Sequence, residues 1–139
     1  MLSAVDTNVI SALWSNEPRA PRVAALLNEA RERGGLVISA PVHAELVAHP
    51  LVEMGFVDRF LRDTGIRVDF DVNETVWCSA GAAYAEYAAR RRRSAGGEPK
   101  RLLVDFLVGA HASVRADRLL TLDPNRYRTH FPDLELVGL

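Results

Sequence analysis

Four acidic residues stand in this chain at positions where an α/β fold brings side chains together. They are Asp6 in AVDTNVI, Glu45 in APVHAELV, Asp105 in LLVDFLVGAHA and Asp123 in LLTLDPNRY. Carboxylates that share a small pocket repel one another, and burial disfavours their ionised form further. A divalent cation offsets that charge, and Mg²⁺ and Mn²⁺ prefer oxygen ligands. The pattern therefore predicts a metal site that can activate water for in-line attack on a phosphodiester.

Short apolar runs alternate with segments of helical spacing along the chain, and these elements must position the acids. The predicted strands are residues 2–5, LVIS at 36–39, IRVDF at 66–70, RLLTL at 118–122 and LELV at 134–137. The predicted helices are residues 7–15, 21–33, 41–49, 51–64, 73–93 and 102–114. Such alternation is typical of an α/β fold in which a central parallel sheet carries helices on both faces, joined by right-handed crossovers.

The four acids all map to one edge of such a sheet. Asp6 and Asp123 fall at the ends of predicted strands, and Glu45 and Asp105 fall in early turns of predicted helices. Ligands of open parallel sheets bind beyond the carboxyl ends of the strands. Each acid taken alone is also compatible with a simple cap or turn. Their convergence is the prediction that matters for function.

Length and composition indicate one soluble domain spanning residues 1–139. The chain is 48% hydrophobic and 25% charged, which is ordinary for a compact globular protein. Its apolar runs are too short to cross a bilayer, so we expect a cytoplasmic protein with no membrane partner. Cys78 is the only cysteine, which excludes an internal disulfide and a cysteine-based zinc site.

Basic residues are concentrated in one part of the chain. Residues 90–128 hold ten Lys and Arg against four Asp and Glu, although the net charge of the chain is only −1. Lys100 and Arg101 stand just before Asp105, where they could meet an RNA backbone. Because Pro124 lacks an N–H, Asn125 or Arg126 is expected to contact phosphate instead. For the run from residue 90 to residue 93, an interaction with the helix dipole is favoured over RNA contact.

Four motifs in order resemble those of PIN-domain nucleases, and the resemblance covers nearly the whole chain. They are DTNVI, AEL, VDFLVGAHA and LLTLDPNRY, with FP downstream. In size and motif order the chain most resembles VapC, the toxin of bacterial VapBC toxin–antitoxin pairs. The resemblance implies a three-layer α/β/α domain and an endoribonuclease that depends on Mg²⁺ or Mn²⁺.

The same resemblance implies roles and partners. It assigns the catalytic metal ligands to Asp6, Glu45, Asp105 and Asp123, and it suggests that the first shell is supported by Thr7, Asn8 and Thr121. It further implies an RNA substrate, a small VapB-like antitoxin that blocks the site, and a homodimer. The apolar helices at 21–33 and 51–64 are candidate surfaces for dimer or antitoxin contact, although both could be ordinary core stripes.

Other functions remain open at this point. A phosphatase of the haloacid-dehalogenase type also places an aspartate after its first strand, but Asn8 stands where that chemistry has a second acid. A PIN-like module that binds RNA without cutting it is a further alternative. His43 and His49 flank Glu45 with the wrong spacing for a zinc hydrolase motif.

Overall fold

The computed structural model describes residues 1–94 and 101–138. Five strands form one sheet in the order β3-β2-β1-β4-β5, and every neighbouring pair is parallel. The strands are β1 (Ser3–Val5), β2 (Leu36–Ser39), β3 (Arg67–Asp69), β4 (Arg118–Leu120) and β5 (Glu135–Val137). The predicted fold class, an α/β domain with a central parallel sheet flanked by helices, is confirmed.

Seven helices occur within the described residues, and their order alternates with the strands. They are α1 (Thr7–Trp14), α2 (Ala20–Arg33), α3 (Ala40–Val47), α4 (Phe56–Thr64), α5 (Glu74–Arg93), α6 (Leu103–Arg115) and α7 (Asn125–Arg128). Sequence features set several of the boundaries. The Asn73 side chain accepts from the N–H of Val76 and caps α5, and Gly65 ends α4 in the left-handed conformation. Among these described helices, none has the length and apolar composition needed to cross a membrane.

The order of the strands creates a crevice between β1 and β4. From β1 the chain first builds β2 and β3 on one side, then crosses over to build β4 and β5 on the other side. The loops that leave β1 and β4 therefore diverge at the carboxyl edge of the sheet. In parallel sheets this switch point is where ligands bind.

The core lies against the central strands. Every residue of β1, β2 and β4 is buried, as expected for parallel strands covered on both faces. Helix α6 is buried from Phe106 to Ala112. The ring of Phe131 packs directly on Gly109, where an added Cβ would lie 2.4 Å from a ring carbon. This close approach fixes the segment after α7 against α6.

Two predicted boundaries and one omission need correction. Helix α4 begins at Phe56 rather than residue 51, because Gly55 adopts a positive φ of 82° that ends the preceding turn. Strand β4 ends at Leu120, so Asp123 lies three residues beyond it, in a turn closed by a hydrogen bond from its N–H to the Thr121 hydroxyl (3.1 Å). The short helix α7 was not predicted from the sequence.

Candidate metal centre

Asp6 lies at the centre of the crevice, directly after β1. Its residue is only 4% exposed. One carboxylate oxygen accepts the backbone N–H of Thr7 (2.8 Å), and the other accepts the hydroxyls of Thr121 and Tyr127 (2.8 Å each). Three donors leave about one acceptor position on the carboxylate free. Asp6 is therefore held rigidly, with room for one further ligand.

The donors around Asp6 are neutral, and this shapes its electrostatics. Burial raises the pKa of Asp6 above its ordinary value, although hydrogen bonds from Tyr127, Thr121 and Thr7 act in the opposite direction. Burial and the Asp6 carboxylate together raise the pKa of Tyr127, so its hydroxyl keeps its proton and donates. A cation beside Asp6 would relieve the cost of burying its charge.

Glu45 reaches the crevice from α3 through a neighbour of Asp6. The Thr7 hydroxyl donates to a Glu45 carboxylate oxygen at 2.7 Å, and the Thr7 backbone N–H donates to Asp6. Thr7 therefore connects the two acids. Glu45 itself is exposed. Helix α3 is fixed in this place by the Ser39 hydroxyl, which accepts from the N–H of Val42 (3.4 Å). The end of β2 thus delivers Glu45 to the edge where Asp6 stands.

Asn8 and Thr121 connect the two loops of the switch point. The Asn8 side-chain oxygen accepts the backbone N–H of Leu122 at 3.1 Å. The Thr121 hydroxyl donates to Asp6 and accepts from the N–H of Asp123. These contacts hold the loop after β4 against the loop after β1, which is a supporting position of the kind that metal sites require.

Asp105 and Asp123 meet at a single arginine. The guanidinium of Arg126, in α7, lies 3.5 Å from an Asp105 oxygen and 3.3 Å from an Asp123 oxygen. Burial acts to lower the pKa of Arg126, but Asp105 and its other acidic neighbours raise it overall, so the side chain stays charged. Arg126 is thus an internal cation between two of the four acids. The sequence marked it only as an RNA contact.

Arg101 supports this arginine from behind. Its guanidinium donates to the Arg126 backbone carbonyl, and its carbon Cζ lies 6.0 Å from the centre of the Tyr87 ring. Its backbone N–H also bonds the Tyr87 hydroxyl (3.1 Å). Lys100, the other predicted RNA contact, lies outside the described residues.

The oxygen atoms of the four acids are suitable ligands for a hard divalent ion, but their present spacing is not that of a metal site. The four acids offer oxygen ligands at one edge of the sheet, which suits Mg²⁺ or Mn²⁺. As they stand, however, no three Asp, Glu, His or Cys side chains of the described ranges lie close enough together to hold a metal. Arg126 separates Asp105 from Asp123 and supplies positive charge there. An ion that binds Asp105 and Asp123 would therefore meet Arg126 at the same oxygens.

Sequence reasoning missed the role of Tyr127 in the crevice. Tyr127 is 1% exposed and donates to Asp6 across 121 residues of chain. Its place four residues after Asp123, on the same short helix turn as Arg126, is a signal only once α7 is recognised.

A second buried acid, Asp69, was also missed. It ends β3 as Asp6 follows β1, and it is 6% exposed. One of its oxygens contacts Nε2 of His111 (3.1 Å) and accepts from Nε of Arg115 (2.5 Å). Although burial acts in the opposite direction, hydrogen bonds led by Arg115 lower the pKa of Asp69 to about 2. His111 therefore belongs to this separate cluster and not to the candidate metal centre.

Comparisons with known proteins agree with this architecture. Similar solved structures include VapBC2 from Rickettsia felis bound to a DNA fragment from their promoter (17% identity, TM-score 0.65, covering 99% of this chain and 98% of that chain). Others are VapBC-1 from nontypeable Haemophilus influenzae (24%, 0.60, 99% and 98%) and FitAcB from Neisseria gonorrhoeae (20%, 0.63, 99% and 97%). At these identities the likeness establishes the fold.

Sequence comparison establishes the family. A search of curated proteins gave no match. The family profile of the PIN domain matches residues 4–132, which include all four acids. PIN domains are generally nucleases that hydrolyse phosphodiesters and use divalent metal ions. The chain therefore belongs to the PIN domain family.

Proposed function

We propose that this protein is an endoribonuclease dependent on Mg²⁺ or Mn²⁺, and that it acts as the toxin of a VapBC-type toxin–antitoxin pair. The observation that carries the proposal is the connected network at the β1/β4 crevice. Thr7 links Asp6 to Glu45, and Arg126 links Asp105 to Asp123. The hydroxyls of Thr121 and Tyr127 donate to Asp6 from the loop and helix that carry Asp123 and Arg126. Membership in a family of nucleases supports phosphodiester cleavage as the chemistry.

The four acids share one role in this proposal, and their hydroxyl partners have another. Asp6, Glu45, Asp105 and Asp123 would hold the ion, which when bound would supply the charge that activates water for in-line attack and stabilises the leaving oxygen. Thr121 and Tyr127 keep Asp6 oriented, since their hydroxyls occupy one of its two oxygens. Cleavage by water leaves a 5′-phosphate and a 3′-hydroxyl.

The toxin role is supported by the structural relatives. Those relatives are VapBC and FitAB assemblies, and each matches this chain over nearly its whole length. By analogy we propose a small VapB-like antitoxin as the partner, and a homodimer as the assembly. The site is open to such a partner, because Glu45 is exposed and Asp123 is half-exposed.

The activity is tested by incubating the purified protein with cellular RNA and Mg²⁺ or Mn²⁺. We expect cleavage that stops in EDTA and in the double variant Asp6→Asn with Asp105→Asn. The matched control is Asp58→Asn with Asp63→Asn, which removes two exposed acids of α4 and should leave cleavage unchanged. Cleavage that survives EDTA or the first double variant would exclude the proposed mechanism. Binding of RNA without turnover in any divalent metal would indicate a non-catalytic module.

The toxin role needs a separate experiment. Induced expression of the wild-type chain should arrest bacterial growth, whereas the Asp6→Asn and Asp105→Asn double variant should not. Co-expression of the small protein encoded beside it should restore growth and copurify with it. Growth arrest by both forms alike would show that toxicity does not depend on the acids. Light scattering of the purified chain measures whether it is a dimer.

A further inference from the structure

An open basic groove lies beside the candidate metal centre, between the end of α5 and the turn after α7. Its volume is about 500 Å³. It is lined by Tyr87, Arg90, Arg91, Arg93, Ser94, Thr129 and His130, a set we call the basic groove. Of the seven lining residues that the structure describes, three are arginines and none is acidic. The chemistry of the groove therefore suits a polyanion.

The arginine run is divided by the geometry of the helix. At 100° per residue, the groove residues of α5 span an arc of about 160°, from Arg93 through Tyr87 to Arg91. Arg92 lies about 100° outside this arc on either side, and it does not line the groove. Interaction with the helix dipole would not distinguish Arg92 from its neighbours, because all four arginines stand in the last turn. The groove therefore distinguishes Arg90, Arg91 and Arg93 from Arg92, which the helix dipole does not.

Positive charges dominate the surroundings of His130 in the groove. Burial lowers the pKa of His130, and the charges of Arg101 and Arg90 lower it further against a smaller opposite effect of Glu86. Arg90 does pair with Glu86 one turn earlier, but both side chains are exposed. Exposed pairs of this spacing contribute little to stability, so a phosphate can replace the glutamate.

The groove is continuous with the acids through two contacts. Tyr87 forms its floor and lies under the guanidinium of Arg101. Arg101 in turn donates to the carbonyl of Arg126, whose own guanidinium touches Asp105 and Asp123. A line of positive charge therefore leads from the acids to the end of α5. A nucleic-acid strand with its reacting phosphate at the acids would meet this line with its neighbouring phosphates.

We propose that the basic groove binds the sugar-phosphate backbone of single-stranded RNA next to the phosphate that is cut. This inference rests on the proposed ribonuclease function and names the surface that holds its substrate. Backbone contacts of this kind add affinity without base recognition. They bind substrate and transition state alike, so their loss raises KM and leaves kcat unchanged.

The test compares two double variants with the same change in charge. Arg90→Gln with Arg93→Gln removes two groove arginines. Arg33→Gln with Arg92→Gln is the matched control, because Arg33 pairs with Glu29 on an exposed helix face as Arg90 pairs with Glu86. Affinity for a labelled oligouridine is measured in EDTA by fluorescence anisotropy over a range of salt concentrations. Thermal unfolding verifies that all proteins are folded.

The groove variant should bind oligouridine about tenfold more weakly than wild type at low salt. Its slope of log affinity against log salt should be shallower by about 1.4, since each lost contact to a single strand contributes about 0.7. The control should keep the wild-type slope. With Mg²⁺ or Mn²⁺ present, the groove variant should show a raised KM for cleavage and an unchanged kcat.

Two results would overturn the groove assignment while leaving the ribonuclease proposal intact. They are wild-type affinity for oligouridine in the groove variant and an equal loss of affinity in the control. The converse result is groove-dependent RNA binding without cleavage in either metal. That result would support the groove and refute the ribonuclease proposal.

Discussion

Two buried aspartates at the carboxyl edge of the same sheet have pKa values that are shifted in opposite directions. Asp6 follows β1 and Asp69 ends β3, and they are 4% and 6% exposed. Burial raises the pKa of Asp6, whereas the pKa of Asp69 is lowered to about 2. The exposed fractions are nearly the same, but Asp6 is enclosed more deeply by protein, so both the depth of burial and the partners contribute to the difference.

The partners differ in charge. Asp69 contacts Arg115 and His111, so a cation of the protein already balances it. Asp6 receives three hydrogen bonds from neutral groups, and the guanidinium of Arg126, whose charge acts on it, contacts two other acids. A cation beside a buried carboxylate with neutral partners would favour its charged form. Under the proposed function, Asp69 is an acid that stabilises the fold and Asp6 is one that binds the ion.

The largest expected effect is on catalysis at Asp6. Asp6→Asn should reduce RNA cleavage by at least about 100-fold, because the ion loses its most buried ligand. The unfolding free energy of the metal-free protein should change by less than about 1 kcal/mol, since removal of a buried charge offsets the loss of an acceptor for one of the three donors to Asp6. Cleavage assays and urea unfolding in EDTA measure the two quantities. A large loss of stability would place Asp6 with Asp69 as a structural acid.

Asp69→Asn should give the opposite result. A shift from 3.8 to about 2 in the pKa of Asp69 corresponds to about 2 kcal/mol of stability, which the amide variant should lose. Cleavage by the folded variant should match wild type. Asp71→Asn is the control, because Asp71 is exposed and lies 3.6 Å from the same Arg115. If both variants lost the same unfolding free energy, burial of the Asp69 carboxylate would not be the reason for its contribution to stability.

The pH dependence of the unfolding free energy should differ between wild type and Asp69→Asn. Because the pKa of Asp69 is lower in the folded state, its contribution is fully present above about pH 4 and is lost as the pH falls through about 2. The gap between wild type and Asp69→Asn should therefore close over this interval. Both proteins also lose stability below about pH 6.5, since burial lowers the pKa of His111. Urea unfolding at a series of pH values measures the gap, and a constant gap would refute the assignment.

The smallest expected effect concerns the internal cation. Arg126→Gln should tighten Mn²⁺ binding about threefold, because the ion no longer competes with a half-exposed guanidinium for Asp105 and Asp123. Isothermal titration of the metal-free protein measures the affinity. Arg128→Gln is the control, since Arg128 is exposed and bonds Asn125 instead. Weaker binding in the Arg126 variant would show that the arginine organises the acids rather than competing with the ion.

Much of the fold could be predicted from local pattern. Apolar runs and helical periodicity gave the strand and helix order, because each burial face leaves a repeat in the sequence. The errors arose where a short-range contact changes a boundary. The positive φ of Gly55 delays α4, and the Thr121 hydroxyl turns the chain before Asp123. The helix α7 is only four residues long, too short to show a period.

The sequence alone determined the acidic character of the crevice and the strand ends that carry it. The motif resemblance selected Asp6, but the local pattern of apolar strands could not distinguish it from Asp69. Asp6 and Asp69 look alike in the sequence, since each stands at the end of a short apolar strand. Their partners come from 121 and 46 residues away, and only the packing of α6 and α7 on the sheet brings Tyr127 to one and Arg115 to the other. Local pattern fixes where a charge is buried, but long-range packing decides which group balances it.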